Sequence, residues 1–185
     1  MVTYAVISDI HGNADNFARA ITVALQYKAD FFLILGDLLN HGPRNGVPDG
    51  YDPLKIAELF NKYKSKIIAV RGNCDSEVDG MLIDLPIQSV SNTVIINRHK
   101  CFMTHGHKFK EEDVQKLGLG NNDYFLYGHT HQAVLKRTPE GVLILNPGSI
   151  TFPKKGEEQT MGIITSHEVR LVKLTGEIIA HLLVK

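Results

Sequence analysis

The chain has 185 residues, of which 43% are hydrophobic and 22% are charged, as in ordinary globular domains. Twenty basic residues balance twenty acidic ones, so the overall charge excludes a general attraction to nucleic acid or to anionic membranes. Only two cysteines are present, which excludes a disulfide framework.

The length suits one domain, and we expect residues 1–185 to form a single one. No apolar run approaches the roughly 18 residues of a membrane span. The N-terminus also lacks the basic and apolar regions of a secretory signal. We therefore expect a protein of the reducing cytoplasm that makes no membrane contact.

The first 70 residues alternate between short apolar runs and amphipathic segments. Buried strands are predicted at 4–8, 31–35 and 67–70. A helix after the first strand would begin at Asn13 or Asp15, and Pro53 is well placed to open a second helix. This order predicts a parallel sheet with right-handed crossovers.

After residue 86 the pattern changes to paired β segments. A hairpin is predicted at 93–107, a strand and loop at 124–131, and paired strands at 133–146, 161–175 and 176–185. Two sheets packed face to face, with helices outside them, fit this arrangement. The fold class predicted from the pattern is α/β.

Side chains of metal-ligand type follow five of the predicted strands. They are Asp9, His11, Asp37, Asn73, His105, His129 and His131. Residues two apart in an extended segment project to the same side, so 9–11 and 129–131 can each offer two ligands to one cluster. Carboxylate, amide and imidazole groups without thiolate suit manganese, iron or zinc. Seven groups exceed the needs of one ion; if Asp37 bridges, they serve two ions about 3.5–4 Å apart.

Ordinary turns offer an alternative explanation for any single motif. Asp37 follows a glycine, and a Gly-Asn pair such as 72–73 commonly makes a tight turn. Carboxylates buried without metal, however, would each carry a desolvation penalty of about several kcal/mol. The five loops taken together therefore favour a metal centre.

The ordered motifs D-x-H, G-D, G-N-x-D, H-G and G-H-x-H, which lie between residues 9 and 131, resemble those of the calcineurin-like metallophosphoesterase superfamily. Segments 35–45, 70–79 and 146–149 look most similar to its small bacterial YfcE-type phosphodiesterases. The resemblance implies a four-layer αββα sandwich with two mixed β-sheets flanked by helices. It also implies one ion held by Asp9, His11, Asp37 and His131, and a second held by Asp37, Asn73, His105 and His129. Mn²⁺ is the expected metal, with Zn²⁺, Fe²⁺ or Ni²⁺ able to substitute.

Cys74 departs from the family pattern. Many members have a histidine there that is thought to protonate the leaving group, and a thiol with an ordinary pKa near 8.5 is a poor replacement. We therefore predict no histidine general acid and the best turnover with activated aryl esters. Cys74 could instead form a wall of the pocket, fill buried space or, as a thiolate, become a metal ligand.

The predicted reaction is hydrolysis of a small-molecule phosphodiester by a hydroxide that bridges the two ions, with Asp37, Asn73 and His105 acting through it. Arg44, Cys74 and His41 are predicted substrate contacts, with a solvated loop as the alternative for Arg44. Phe152 and Pro153 could line a substrate wall.

Two alternatives remain open at this point. One is a phosphomonoesterase or a nuclease at the same site, although the neutral composition gives no evident surface for long nucleic acid. The other is a non-catalytic protein-binding module, as the retromer subunit of this fold shows by resemblance. Exposed β segments could also support a homo-oligomer.

Overall fold

The computed structural model describes residues 2–184, which form eleven strands and two α-helices. In chain order the strands are β1 (Tyr4–Ile7), β2 (Phe31–Ile34), β3 (Ile67–Ala69), β4 (Ser91–Ile96), β5 (His99–Thr104), β6 (Tyr124–Leu126), β7 (Ala133–Arg137), β8 (Leu143–Pro147), β9 (Thr160–Ile164), β10 (Glu168–Lys173) and β11 (Ile178–Leu183). The helices are α1 (Ala14–Gln26) and α2 (Pro53–Lys62), and short 3₁₀ helices lie at Lys64–Lys66, Glu77–Met81 and Glu111–Asp113.

The strands form two mixed sheets. Sheet one has the order β11-β10-β9-β1-β2-β3, in which β1, β2 and β3 are parallel and the other pairs are antiparallel. Sheet two has the order β4-β5-β6-β8-β7, with β5, β6 and β8 parallel. The predicted parallel start and the predicted hairpins are therefore observed.

The two sheets pack face to face over a buried apolar layer. Val6 and Leu33 of sheet one belong to the same cluster as Met103, Leu126 and Leu145 of sheet two, and all five are buried. Short, mostly continuous apolar runs make these strands, as expected for strands that are buried on both faces. Burial between the sheets thus holds the ends of β1, β2, β5 and β6 close together.

The outer faces are covered unequally. Helices α1 and α2 cover sheet one, and Phe17 stacks on Phe60 at 5.2 Å between ring centroids. Sheet two is covered by the segment after β5, where Val114 and Leu119 pack on Phe125. Within residues 2–184 that segment contains a 3₁₀ helix rather than an α-helix, so the flanking helices are fewer than the predicted four layers imply.

The element ends differ from the prediction by about one residue. The strands predicted at 4–8, 31–35 and 67–70 each end one residue earlier, because the chain then turns towards the site loops. Asn13, not Asp15, caps α1 by accepting a hydrogen bond from the Asn16 amide at 2.9 Å. Pro53 opens α2 as predicted. Neither helix in the described residues is long and apolar enough to cross a membrane.

Candidate metal centre

The site lies where the loops after β1, β2, β3, β5 and β6 meet. Parallel strands point their carboxyl ends to the same edge of a sheet, so these loops start close together. Backbone hydrogen bonds then join them: the His11 amide donates to the Asp37 carbonyl at 2.8 Å, and the Gly128 amide donates to the His105 carbonyl at 2.9 Å. His105 Nδ1 reaches across from sheet two to the Leu35 carbonyl of sheet one at 2.7 Å.

Two carboxylates and three imidazoles form the centre of this site. Asp9 Oδ1 lies 3.3 Å from His131 Nε2, and Asp37 Oδ2 lies 3.3 Å from His105 Nε2. His11 Nε2 lies between the two carboxylates, 3.7 Å from Asp9 Oδ1 and 3.6 Å from Asp37 Oδ2. All of these side chains are buried except that of His131, which is 20% exposed. Their potential ligand atoms therefore share one small volume.

Each of the three imidazoles is oriented through its other ring nitrogen. Nδ1 lies 3.0 Å from the Asn40 carbonyl in His11, 2.7 Å from the Leu35 carbonyl in His105 and 2.6 Å from the Phe152 carbonyl in His131. A carbonyl only accepts, so Nδ1 carries the proton, and in the neutral ring Nε2 points a lone pair at the cluster. This carbonyl–imidazole arrangement is typical of histidines that bind metal.

The donor set fits divalent cations. Asp9 Oδ1 is buried and has no hydrogen-bond partner among residues 2–184. His11 Nε2 lies only 3.1 Å from His131 Nε2, a contact that neutral rings held through Nδ1 cannot bridge with a proton. Asp9, His11 and His131 offer atoms within 4.8 Å of one another, and so do Asp9, Asp37 and His105. A cation would satisfy this concentration of acceptors.

The pKa values show how strongly negative the centre is. Burial alone would lower the pKa of His105, but the Asp37 and Asp9 carboxylates outweigh it and raise the pKa to about 9. Burial also disfavours the charged form of Asp37, yet the hydrogen bond and charge of His105 hold its pKa below the ordinary value. His105 thus takes up positive charge beside the carboxylates, and a divalent ion would compete with that proton.

Asn73 and His129 lie at the side of this cluster. Asn73 Oδ1 is 3.1 Å from His105 Nε2. The His129 ring lies 5.1 Å from the His105 ring between centroids, and its main-chain amide donates to Asp9 Oδ2 at 3.0 Å. All seven side chains predicted to bind metal are therefore brought to one place, with five of them in closest contact.

Five of the seven have left-handed backbone conformations. They are Asp9 (φ 55°), His11 (φ 48°), Asp37 (φ 54°), His129 (φ 65°) and His131 (φ 58°). Such conformations are uncommon for residues other than glycine and cost about 1–3 kcal/mol each when strained. They persist where surrounding contacts hold them and where the side-chain direction matters, as it does for metal ligands.

Asp75 supplies one of these surrounding contacts, in a role that sequence reasoning missed. Its carboxylate accepts hydrogen bonds from the amides of Asp37 (2.9 Å), Leu38 (2.6 Å) and Gly72 (2.7 Å). Burial raises its pKa to about 6, so the group is ionised at neutral pH. Through these hydrogen bonds Asp75 joins the loop after β2 to the loop after β3. The signal in the sequence was the aspartate of the motif G-N-x-D.

The end of β8 and the segment that follows it form hydrogen bonds with the other site loops. Ser149 Oγ donates to the Asp9 carbonyl at 2.9 Å, and Thr151 Oγ1 donates to the Ile10 carbonyl at 2.7 Å. Asn146 Nδ2 donates to the Gly128 carbonyl at 3.0 Å. The motif N-P-G-S carried this signal in the sequence, but its bonding role could not be read from the pattern.

A cavity of about 520 Å³ opens beside the cluster. Its lining includes His11, Asp37, Asn73, His129 and His131 together with Arg44, Cys74, Phe152, Pro153, Lys154 and Lys155. The predicted substrate contacts Arg44 and Cys74 therefore line the cavity. Phe152 and Pro153, which were predicted to form a substrate wall, line it as well. His41 is not among the described residues that line the cavity; its Nδ1 donates to the Gly42 carbonyl at 3.1 Å, and its role as a substrate contact stays a prediction.

Cys74 contacts the centre mainly through its backbone. Its amide donates to Asp37 Oδ1 at 2.8 Å, and its Sγ lies 3.2 Å from Asn73 Nδ2. Burial and the Asp37 carboxylate raise the pKa of the thiol to about 12. Without a bound ion the group is therefore a thiol at neutral pH. Cys74 lines the cavity, and it also offers a ligand atom within 4.8 Å of those of His11 and Asp37, so the pocket-wall and metal-ligand roles both stay predictions.

The family model for the calcineurin-like phosphoesterase superfamily domain matches residues 2–168. The chain belongs to this superfamily. It is 41% identical over 177 residues to phosphodiesterase YfcE of Escherichia coli K12, which covers 96% of this chain and 95% of the relative. The predictions of the family and of the α/β fold are confirmed.

Solved structures agree with this membership. The E. coli YfcE phosphoesterase structure matches with a TM-score of 0.93 and 39% identity over 100% of both chains. A Vps29 structure from Entamoeba histolytica covers 100% of both chains at 16% identity with a TM-score of 0.67, which shows the shared fold alone. By sequence, phosphodiesterase MJ0936 of Methanocaldococcus jannaschii is also similar, with 27% identity over 77% of this chain and 81% of its own.

Gly72 allows a test of how tightly the site is packed. A Cβ at this position would lie 2.1 Å from Asp37 Oδ1 and 2.3 Å from the Asp37 amide nitrogen. We expect Gly72→Ala to lower the free energy of unfolding by about 1–3 kcal/mol and to weaken Mn²⁺ binding by about tenfold or more, because Asp37 must move. Urea unfolding and titration calorimetry measure the two effects.

Gly46→Ala is the matched control, because a Cβ there would meet nothing within 4 Å. Gly46→Ala should leave the free energy of unfolding and the Mn²⁺ affinity near the wild-type values. Equal Mn²⁺ affinity in both variants would contradict the contact between Gly72 and the centre.

Proposed function

We propose that this chain is a metal-dependent phosphodiesterase of small molecules, with a centre for two divalent ions. The prediction of a phosphoric diester hydrolase is confirmed at the level of enzyme class by the family match and by the 41% identity to a named phosphodiesterase. The finer features, which are two ions, a bridging hydroxide and Mn²⁺, are the proposal. The observation that carries it is the buried concentration of hydrogen-bond acceptors around Asp9 Oδ1.

The proposed ligands divide between two positions that share Asp37. Asp9, His11, Asp37 and His131 would hold one ion, and Asp37, Asn73, His105 and His129 the other. When bound, such a pair supplies a hydroxide at neutral pH and polarises the phosphate oxygens. Mn²⁺ suits the mixed oxygen and nitrogen donors, with Zn²⁺, Fe²⁺ or Ni²⁺ as substitutes.

The chain's own residues prepare the site for this chemistry. The backbone carbonyls of Asn40, Leu35 and Phe152 keep the Nε2 atoms of the three imidazoles directed inward. Asp75 keeps the Asp37 loop in place through its three amide contacts. This preorganisation avoids the cost of rearranging the ligands during the reaction.

The cavity residues would hold the substrate. Arg44 lies in the lining and can present a planar pair of N–H donors to a phosphate oxygen. Phe152 and Pro153 supply an apolar wall for an ester group. Burial and the Asp37 carboxylate raise the pKa of the Cys74 thiol to about 12, which makes it a much weaker acid than an imidazolium, and we assign it no role in protonating the departing oxygen.

Three further properties stay predictions: a cytoplasmic location, assembly into a homo-oligomer, and the lack of a surface for long nucleic acid. The close grouping of all seven proposed ligand side chains favours the enzyme over the non-catalytic protein-binding module.

The first test is turnover of bis-para-nitrophenyl phosphate by purified protein. Protein loaded with Mn²⁺ should hydrolyse this diester faster than para-nitrophenyl phosphate, and chelation followed by dialysis should abolish the activity. A faster monoester reaction would instead favour the phosphomonoesterase. Lack of turnover in protein that binds no metal would favour the binding module.

Asp37→Asn tests the shared ligand within the same assay. Loss of one carboxylate between the two ion positions should lower kcat/KM about 100-fold or more and reduce the metal content per chain. Asp84→Asn is the control, because Asp84 is exposed and pairs with the surface lysine Lys64. Full activity and two ions per chain in Asp37→Asn would refute a bridging role.

The thiol at position 74 generates a prediction about leaving groups. Across a series of aryl phosphodiesters, kcat/KM should fall steeply as the pKa of the released phenol rises, because we propose that neither Cys74 nor a histidine acts as a general acid for the departing oxygen. Cys74→Ser should show the same slope, since neither side chain acts as the acid. A slope near zero in the wild type that steepens in Cys74→Ser would show that the thiol donates the proton after all.

A further inference from the structure

Three cations stand at the mouth of the 520 Å³ cavity: Arg44, Lys154 and Lys155, here called the cationic rim. Arg44 comes from the loop after β2, whereas the two lysines come from the turn before β9. All three side chains are exposed. They therefore face the space between the metal centre and solvent from two separate parts of the chain.

The cationic rim lacks acidic partners among the described residues. None of its members forms an ion pair with another of residues 2–184. The two glutamates next in sequence are engaged elsewhere: Glu157 accepts a hydrogen bond from the Ala133 amide at 2.9 Å, and Glu158 pairs with Lys173 at 2.8 Å. Although the chain has no net charge, the cationic rim creates a local positive potential at the cavity.

Backbone contacts tie the rim to the metal-ligand loop. The Lys154 amide donates to the His131 carbonyl at 2.9 Å, and the Lys154 carbonyl accepts from the Glu157 amide at 2.8 Å. The Phe152 ring lies nearly parallel to the His131 ring, with centroids 6.4 Å apart. The Phe152 ring therefore lies against His131, and the backbone of Lys154 is joined to the same loop.

This arrangement bears on the substrate, and the inference rests on the proposed function. The reacting group of a phosphodiester carries one negative charge, which the two divalent ions would attract. We propose that the cationic rim binds a second anion, a phosphate monoester carried on one arm of the substrate, while Phe152 contacts the part of the arm between the two phosphates. The substrate class is thus a phosphodiester with an additional terminal phosphate.

A matched pair of chromogenic esters tests the rim. Thymidine 5′-(para-nitrophenyl phosphate) and its 3′-phosphorylated form release the same phenol and differ only in the second phosphate. The wild type should prefer the 3′-phosphorylated ester by about tenfold in kcat/KM, mainly through KM, and the preference should shrink as salt rises. Lys154→Gln combined with Lys155→Gln removes two of the three charges and should reduce the preference to about twofold or less.

Lys62→Gln combined with Lys64→Gln is the control, because it removes the same charge near the end of α2, before β3 begins and away from the site loops. It should keep the preference. Equal kcat/KM for both esters in the wild type, or a preference that survives loss of Lys154 and Lys155, would overturn the rim's role while leaving the phosphodiesterase intact. Hydrolysis of neither ester by metal-loaded protein would overturn the proposed function as well.

Discussion

The structure depends on an electrostatic constraint: two carboxylates and several imidazole nitrogens are buried together, with too few protons between them. Asp9 Oδ1 lacks a hydrogen-bond partner among the described residues, and His11 Nε2 faces His131 Nε2 at 3.1 Å. Buried charge of this kind costs several kcal/mol in typical proteins unless an opposite charge compensates it. The elevated pKa of His105, about 9, is the response of one ring to that field. A pair of divalent ions would compensate the buried negative charge more completely than one protonated imidazole does.

Holding such a centre imposes strain, and the surrounding hydrogen bonds compensate it. Five proposed ligands have positive φ angles, at about 1–3 kcal/mol each when strained. Against this, the ionised Asp75 accepts three amide hydrogen bonds, and bonds to charged groups contribute about 1.5–3 kcal/mol each. Ser149 and Thr151 fix the backbone beside Asp9 in the same way. Glycines complete the packing where a side chain would strike a ligand, as at Gly72.

Much of the fold and the ligand set followed from local sequence patterns. Apolar runs located β1, β2 and β3 because buried parallel strands need continuous apolar sequence, and Pro53 marked α2 because its ring suits the first helical turn. The ligand types at strand ends were visible because the edge of a parallel sheet gathers loops. The ends of the strands were harder to predict. After β1, for example, the backbone turns to a positive φ at Asp9, and the amino-acid composition does not indicate this turn.

Other features required three-dimensional information. The bonds from Asp75 and Ser149 join segments 37 and 140 residues apart, and no periodicity reports such pairs. Lys154 and Lys155 resemble any surface lysines until the cavity places them opposite Arg44. The absence of an α-helix on the outer face of sheet two, within residues 2–184, likewise followed from how segment 111–119 packs and not from its composition.

Crystallographic anomalous scattering from protein loaded with Mn²⁺ tests the central claim most directly. Two anomalous peaks on either side of the Asp37 carboxylate, with Asp9 Oδ1 and the inward Nε2 atoms around them, are the expected result. A difference map without peaks in this cluster, at Mn²⁺ concentrations that support diester turnover, would contradict a metal centre built from these side chains.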